Sequence, residues 1–204
     1  MMDSGWDSTD GKWSAAEEAI MHATYRALLT HGYANLSISR IAEEFDKSKA
    51  SIYYHYDSKD ELLVAFLDFA ADRFEALFDT QVGEDPSADL EHVVEKLLPL
   101  DPAEEQRQLH SVQVELRAQA VTEEAFREQF SKLDDRIVAT VRDIIERGIA
   151  EGEFRDVDST RVAEHVLAVV NGAMYGRATA ERKSTAAVRV SLSSYLDAEL
   201  HRGE

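Results

Sequence analysis

The sequence predicts an all-α protein, and two observations lead to that prediction. Only three prolines occur in the 204 residues, all between positions 86 and 102, and alternating β-branched patterns are almost absent. Apolar residues recur instead at helical spacing, in long segments that begin with residues favouring a helix start. A chain of this length can bury a substantial core.

The N-terminal part is predicted to hold three helices. Ser14 can cap the first, which runs to about residue 30 and ends at the sequence HGY. Ser37 can cap a short second helix. Ser48 can cap a third, in which Ile52 and Tyr56 face inward. The pattern is therefore helix, tight turn, helix.

The rest of the chain is predicted to be helical as well. A long amphipathic helix begins at Lys59 and runs to about residue 81. Five more follow at about 87–98, 103–120, 123–151, 159–182 and 184–202, with Thr122, Ser159 and Ser184 as caps of the last three. We divide the chain into a flexible tail at 1–13, a helix-turn-helix domain at 14–58 and a helical domain at 59–204.

The composition and the absence of several motifs argue against disulfides, catalytic sites and a membrane or secreted location. Without cysteine the chain has no disulfide, thiolate nucleophile or Cys-ligated metal. No His-Glu-x-x-His, Gly-rich phosphate loop or Gly-x-Ser-x-Gly occurs, so we expect neither an enzyme nor a cofactor. No apolar run is long enough to span a membrane, and the acidic N-terminus does not resemble a secretory signal. We expect a cytoplasmic protein without a membrane partner.

The charge balance is strongly acidic. Forty acidic residues face 22 basic ones, giving a formal net charge of −18, and only seven of the bases are lysine. A dense carboxylate surface whose self-repulsion is screened by salt is typical of halophilic proteins. We interpret the source as halophilic, although an ordinary acidic protein is the alternative.

One short segment departs from this acidic bias. Residues 35–59 carry four bases and four acids, and three of the seven lysines lie there beside the sequence YYHY. A short capped helix with a basic and aromatic outer face fits the major groove of DNA. Five side chains can donate hydrogen bonds to phosphate oxygens: Ser37, Ser51, Tyr53, Tyr54 and Lys59. Base edges are within reach of Ser39, Lys49 and His55, and a thymine methyl within reach of Ala50.

The segment LSISRIAEEFDKSKASIYYHYDSKDELL, residues 36–63, resembles the DNA-binding region of the TetR family of transcriptional regulators. With the preceding HGY the resemblance covers about 50 residues. It implies a dimeric repressor or activator whose helical C-terminal domain binds an inducing ligand, with the phosphate and base contacts just named. The family usually has glycine and valine in the turn, where this chain has Asp46 and Lys47. Lys47 adds a further possible phosphate contact.

A ligand cavity, as the resemblance implies, is expected between the long helices that begin at Lys59, 103 and 123. Its predicted lining consists of Phe66, Phe69, Phe74, His110, Gln113, Leu116, Arg117 and Phe130, and plain core is the alternative for each. A mainly apolar pocket favours a hydrophobic or aromatic effector.

Small residues recur every four positions in the helix predicted at 159–182, which indicates a close helix-helix seam. The resemblance implies that this seam is a homodimer interface shared with the last helix. The residues concerned are Ala168, Gly172, Ala173, Gly176, Val188, Leu192, Tyr195 and Leu196. A helix crossing within one chain is the alternative.

The predicted function is that of a sequence-specific regulator, a repressor that binds a palindromic operator in double-stranded DNA as a homodimer and is released by a small molecule. The alternative is a helix-turn-helix adaptor that acts mainly through protein partners, with weak or ligand-dependent DNA binding. Net charge alone does not separate the two.

Overall fold

The computed structural model describes residues 12–45, 48–79, 83, 85–181 and 184–201, without the side chains of 73–79. Within these ranges all regular structure is helical, as predicted. The helices are α1 (Ala15–His31), α2 (Ile38–Glu43), α3 (Lys49–His55), α4 (Lys59–Asp79), α5 (Pro86–Leu97), α6 (Glu104–Gln119), α7 (Glu124–Glu151), α8 (Ser159–Thr179) and α9 (Thr185–Leu200). None of these described helices is long and apolar enough to cross a bilayer.

Helix α1 begins and ends as its sequence predicts. Ser14 Oγ accepts the N–H of Glu17, and the Glu17 carboxylate accepts the N–H of Ser14 at 2.9 Å, forming a reciprocal capping box. Gly32 follows the helix with φ of 67°, a conformation that strains residues with a Cβ, and its N–H donates to the carbonyl of Leu28 at 2.8 Å. The chain can therefore turn sharply into α2.

The three caps predicted for α7, α8 and α9 differ from the structure. Asp158, rather than Ser159, caps α8, because its carboxylate accepts the N–H of Arg161 at 3.0 Å. Thr122 lies in the preceding turn, where its hydroxyl donates to the carbonyl of Gln119 at 3.4 Å. Ser184 occupies the cap position of α9, but it has helical dihedrals and its side chain bonds no N–H. Where several Ser, Thr or Asp residues lie near a helix start, the local backbone geometry determines which of them forms the cap.

The chain packs as two compact units. The first unit comprises Met1–Leu77 with Ser111–Ser131, and the second comprises Phe78–His110 with Lys132–Glu204. Helices α6 and α7 thus each contribute to both units. The functional division predicted at residues 58 and 59 stays a prediction, because it concerns roles rather than packing.

In the first unit, α2 packs against α1, and α3 packs against α2. Arg26 of α1 fastens the end of α2, since its Nη2 donates to the carbonyl of Glu44 and its Nε lies 3.5 Å from the Glu44 carboxylate. The fully buried side chains of this unit include Ile20, Met21, Leu28, Ile41, Ile52, Leu62, Leu63, Phe69 and Leu116.

The residues just before α1 are tied to α4 in the same unit. Lys12 Nζ lies 2.8 Å from a carboxylate oxygen of Asp68 and 2.8 Å from one of Asp72. Trp13 Nε1 donates to Asp72 at 3.1 Å, and its ring meets Phe69 edge to face at 5.5 Å. Part of the segment predicted as a tail thus contacts α4, while residues 1–11 lie outside the described chain.

The second unit is built around α8. Its buried side chains include Leu90, Val94, Leu98, Val141, Ile145, Phe154, Val162, Val166, Val170, Leu196 and Leu200. Gly148 allows the turn after α7 to fold back, because a Cβ there would lie 2.2 Å from the ring of Phe154. Asp89 of α5 pairs with Arg147 of α7 and also accepts the N–H of Gly83. These contacts hold α5 and α7 together.

Candidate nucleic-acid interface

Helix α3 separates an inner face from an outer one, as predicted. Ile52 is fully buried and Tyr56 is 6% exposed, and both belong to the core of the first unit. Tyr53 is 53% exposed and Tyr54 85%, and Lys49 and Ala50 are exposed beside them. Large aromatic rings left this exposed are typical of a surface that meets a partner. The outer face of α3 is therefore the candidate interface.

The Tyr56 hydroxyl has no hydrogen-bond partner among the described residues, although it is buried. Burial, with smaller contributions from Glu17 and Glu61, raises the pKa of this tyrosine above its ordinary range. It stays neutral and acts as core rather than as a contact.

Basic side chains around α3 are divided between two uses. Arg26 is engaged with Glu44, and Arg40 donates to the carbonyl of Asn35, so both stabilise the first unit itself. Lys49, in contrast, makes no hydrogen bond or ion pair with any described residue. Its ammonium group is free to meet an external anion.

The predicted phosphate contacts differ in exposure. Tyr53 and Tyr54 are the most open of them. Ser37 is half-buried, because it caps α2 by accepting the N–H of Arg40 at 3.3 Å, and Ser51 is half-buried too. Lys59 lies 4.6 Å from the centre of the Tyr33 ring, a cation-π contact that orients its side chain. Lys47 lies outside the described residues.

Of the predicted base-facing residues, Lys49 and Ala50 lie on the exposed side of α3. His55 is half-buried, and its ring meets that of Tyr54 edge to face at 5.2 Å. Ser39 is half-buried on α2. Ser48 stands before α3 without making the predicted side-chain cap bond, because its hydroxyl accepts no N–H. The exposed members thus concentrate on α3.

A second feature of the molecule is the outer surface of α8 and α9, within the second unit. Ala168 and Gly172 are exposed, and Cβ atoms added at Gly172 or Gly176 would meet no atom of the described residues within 4 Å. Tyr175 is 62% exposed and Val190 66%. Small and apolar residues that no part of their own unit covers indicate a helix-packing surface still open to a partner.

The remaining predicted seam residues fall into two groups. Val188 and Tyr195 are half-buried, and the Tyr195 ring contacts that of His165 in a tilted arrangement with centroids 4.1 Å apart. Ala173, Leu192 and Leu196 are buried within the second unit. The predicted set therefore mixes outward residues with residues of the α8–α9 core.

Several predicted ligand-lining residues belong to the interior of the first unit. Phe66, Phe69, Leu116 and Phe130 are almost fully buried there. The Arg117 guanidinium lies 4.6 Å from the centre of the Phe130 ring. Gln113 is half-buried, and its buried Oε1 has no hydrogen-bond partner among the described residues. The side chain of Phe74 lies outside the described residues.

His110 belongs instead to the second unit. Burial, and then the charge of Arg177, lower the pKa of His110 to about 4. Across the described ranges, no group of three His, Asp or Glu side chains lies close enough together to hold a metal ion.

Two residues of interest were missed in the sequence. Glu115 of α6 accepts the N–H of Tyr33, in the turn after α1, at 2.8 Å. Arg177 of α8 faces His110 and the carbonyl of Pro99. Both contacts join residues more than sixty positions apart, and no local pattern in the sequence predicts such pairs.

Comparison with known families gives two matches that together span most of the chain. Residues 20–66 match the family described as bacterial regulatory proteins, tetR family. Residues 86–201 match the BetI-type transcriptional repressor, C-terminal.

Solved structures resemble the chain over nearly its whole length. A TetR transcription regulator from Haloarcula marismortui is 38% identical with a TM-score of 0.85, covering 93% of this chain and 100% of that one. A transcriptional regulator from Saccharomonospora viridis, solved in complex with choline, is 26% identical with a TM-score of 0.75, covering 93% and 100%.

Among curated proteins the similarity is local. The HTH-type transcriptional regulator Rv1556 of Mycobacterium tuberculosis, itself uncharacterized, is 38% identical over 53 residues, which is 26% of this chain. The matched segment spans only 26% of that relative's own length.

Proposed function

Because this chain belongs to the TetR family of transcriptional regulators, we propose that it represses transcription by binding a palindromic operator as a homodimer, and that a small molecule releases it. The observation that carries the proposal is the outer face of α3. Tyr53 and Tyr54 are exposed there beside the ammonium group of Lys49, which pairs with no described residue. This face has the size and chemistry of a recognition helix.

On DNA, α3 enters the major groove. Lys49 and Ala50 meet base edges, with His55 of α3 and Ser39 of α2 at the margin of the same surface. Phosphate contacts come from Tyr53, Tyr54, Ser51, Ser37, Lys59 and Lys47. Of these phosphate contacts only the two lysines carry charge. The position of the protein along the DNA therefore depends largely on hydrogen bonds from hydroxyl groups.

The homodimer forms through α8 and α9. Support comes from the exposed residues Ala168, Gly172 and Tyr175 of α8. A Cβ added at Gly172 would contact no described residue of the second unit within 4 Å. Two copies of such a face pack in an isologous contact, and the two α3 helices then meet half-sites whose centres lie about 34 Å apart.

The effector binds among the helices of the C-terminal half. In the first unit, the unpaired Oε1 of Gln113 offers a hydrogen-bond acceptor next to apolar side chains such as Leu116. An effector that is mainly apolar and carries a hydrogen-bond donor or a cationic group suits this chemistry. The Saccharomonospora relative, solved with choline, gives a precedent for a small organic cation.

Release follows from the way α6 is attached. Glu115 on α6 accepts the N–H of Tyr33 in the turn between α1 and α2, so a displacement of α6 by ligand would disturb the turn that orients α2 and α3. In this scheme residues 14–58 bind DNA and residues 59–204 bind effector and partner subunit. The protein works in the cytoplasm, and its charge suits a salt-rich interior.

Selection of bound duplexes from a random DNA pool by the purified protein, in dilute and in molar potassium chloride, tests this function. We expect one two-fold-symmetric site. A folded protein that selects no site at either salt concentration would contradict the proposal and favour the adaptor alternative.

A further inference from the structure

Arg177, near the end of α8 in the second unit, is held by three neutral groups. Its Nη2 donates to the carbonyl of Pro99 at 2.7 Å, and its Nε donates to the hydroxyl of Thr185 at 3.3 Å. Its Nη1 lies 3.4 Å from Nδ1 of His110. The guanidinium is thus fixed in orientation by the loop before α6, by α6 and by the start of α9.

The charge of Arg177 is not balanced by any of these groups. No carboxylate of the described chain lies within ion-pair distance of it, although the protein has 40 acidic residues. Other arginines of the second unit do have carboxylate partners, such as Arg147 with Asp89 and Arg161 with Glu199. Within the second unit, Arg177 therefore differs from these arginines, because only neutral groups hold it.

The charged side chain that acts on Arg177 is also basic: it is Arg107, which pairs with Glu104 at 2.9 Å and lies 3.8 Å from Asp101. Burial, and then the nearby charge of Arg107, lower the pKa of Arg177. Burial and the charge of Arg177 lower the pKa of His110 to about 4, so its imidazole is neutral near pH 7. An anion bound at Arg177 would offset the repulsion between the two guanidinium groups and would favour protonation of the neutral His110.

The hydrogen-bond capacity of Arg177 also leaves room for an anion. A guanidinium has five N–H donors, and the contacts with Pro99, Thr185 and His110 engage three of them. The two that remain suffice for the bidentate pairing that carboxylates and phosphates form with arginine. The Thr185 hydroxyl accepts from Nε and keeps its own hydrogen available as a further donor beside the guanidinium.

We propose that Arg177, with His110 and Thr185 beside it, forms an oxyanion site in the second unit that binds a carboxylate or phosphate group of a small molecule. Occupation of the site would tie the start of α6 to the end of α8 and the start of α9. The site requires neither DNA nor a second copy of the chain, so this proposal and the proposed function can fail independently.

The test is a titration of the His110 imidazole by nuclear magnetic resonance, with its signal assigned by comparison with His110→Gln. Potassium acetate and potassium phosphate are the probes, each added at constant ionic strength. In the wild type, the bound anion should increase the proton affinity of His110 by about tenfold or more and move its pKa from about 4 toward 6.5. A response to acetate alone, to phosphate alone or to both supports the site and identifies its class.

Two variants separate this site from general effects of salt. Arg177→Gln should abolish the response, and Arg177→Lys, which keeps the charge but loses the planar fork, should weaken it. The matched control is Arg161→Gln, which removes an exposed arginine from the same helix and should respond as the wild type does. The site is refuted when neither probe shifts His110, or when Arg177→Gln and Arg177→Lys respond as strongly as the wild type.

Discussion

At the scale of single residues, His110 should make stability depend on pH. Its pKa is about 4 in the folded protein against an ordinary 6.5, so the unfolded chain binds the proton more readily. The stability associated with neutral His110 is complete above pH 6.5 and is lost as the pH falls toward 4. The wild type should therefore lose unfolding free energy between pH 6.5 and pH 4, and we expect His110→Gln to lose less, by up to about 3 kcal/mol.

Urea unfolding of both proteins between pH 4 and 7 measures the difference. Equal pH dependence of the wild type and His110→Gln would show that the histidine is not held neutral by its surroundings.

The sequence predicts some residue roles and not others. The inward Ile52 and outward Tyr53 of α3 follow from helical spacing, and their observed burial agrees. The environments of Glu115 and Arg177 do not follow from any spacing, because their partners come from distant parts of the chain. Ser159 failed as a predicted cap because Asp158, a better acceptor one position earlier, takes that role.

At the scale of elements, Glu115 joins α6 to the turn after α1. Glu115→Ala removes the acceptor of the Tyr33 N–H, and we expect it to lower the unfolding free energy by about 1 kcal/mol. It should also weaken operator binding, because the turn orients α2. Glu128→Ala, an exposed carboxylate of α7 in the same unit, is the control. Calorimetry and a DNA-binding titration measure both effects, and an operator affinity as high as that of the control would exclude the coupling.

The open face of α8 and α9 gives a second prediction at this scale. A Cβ at Gly172 would meet no described residue within 4 Å, so Gly172→Arg should fold but fail to dimerise. Ala150→Arg, on the exposed side of α7, should leave the dimer intact. Analytical ultracentrifugation distinguishes the two. A Gly172→Arg protein that still sediments as a dimer would move the interface elsewhere.

Helix positions could be predicted closely from apolar spacing, which is local, even where the predicted residue does not form the cap. The compact units could not, since α6 and α7 contribute to both of them. Spacing likewise grouped Ala173 and Leu196 with the outward residues of α8 and α9, although both are buried in the second unit. A periodic pattern marks a packing face but does not say which partner covers it.

At the scale of the whole molecule, the net charge of −18 should make stability depend on salt. Carboxylates repel one another across the surface, and at 0.1 M salt that repulsion is largely screened between charges more than roughly 10 Å apart. Exposed ion pairs such as Arg142 with Asp143 lose little by screening, because each is worth little. We expect the thermal midpoint to rise from dilute to molar potassium chloride, and a constant or falling midpoint would argue against adaptation to salt.

The central claim is that the outer face of α3 binds DNA. It is tested most directly by the affinity of the selected operator for the wild type and for the Lys49→Ala, Tyr53→Ala double variant, with Lys132→Ala as a control. Each lost contact is worth about 1–3 kcal/mol, so the double variant should bind more weakly by several kcal/mol while its circular dichroism and thermal midpoint stay those of the wild type. Unchanged affinity in the folded double variant would contradict the claim.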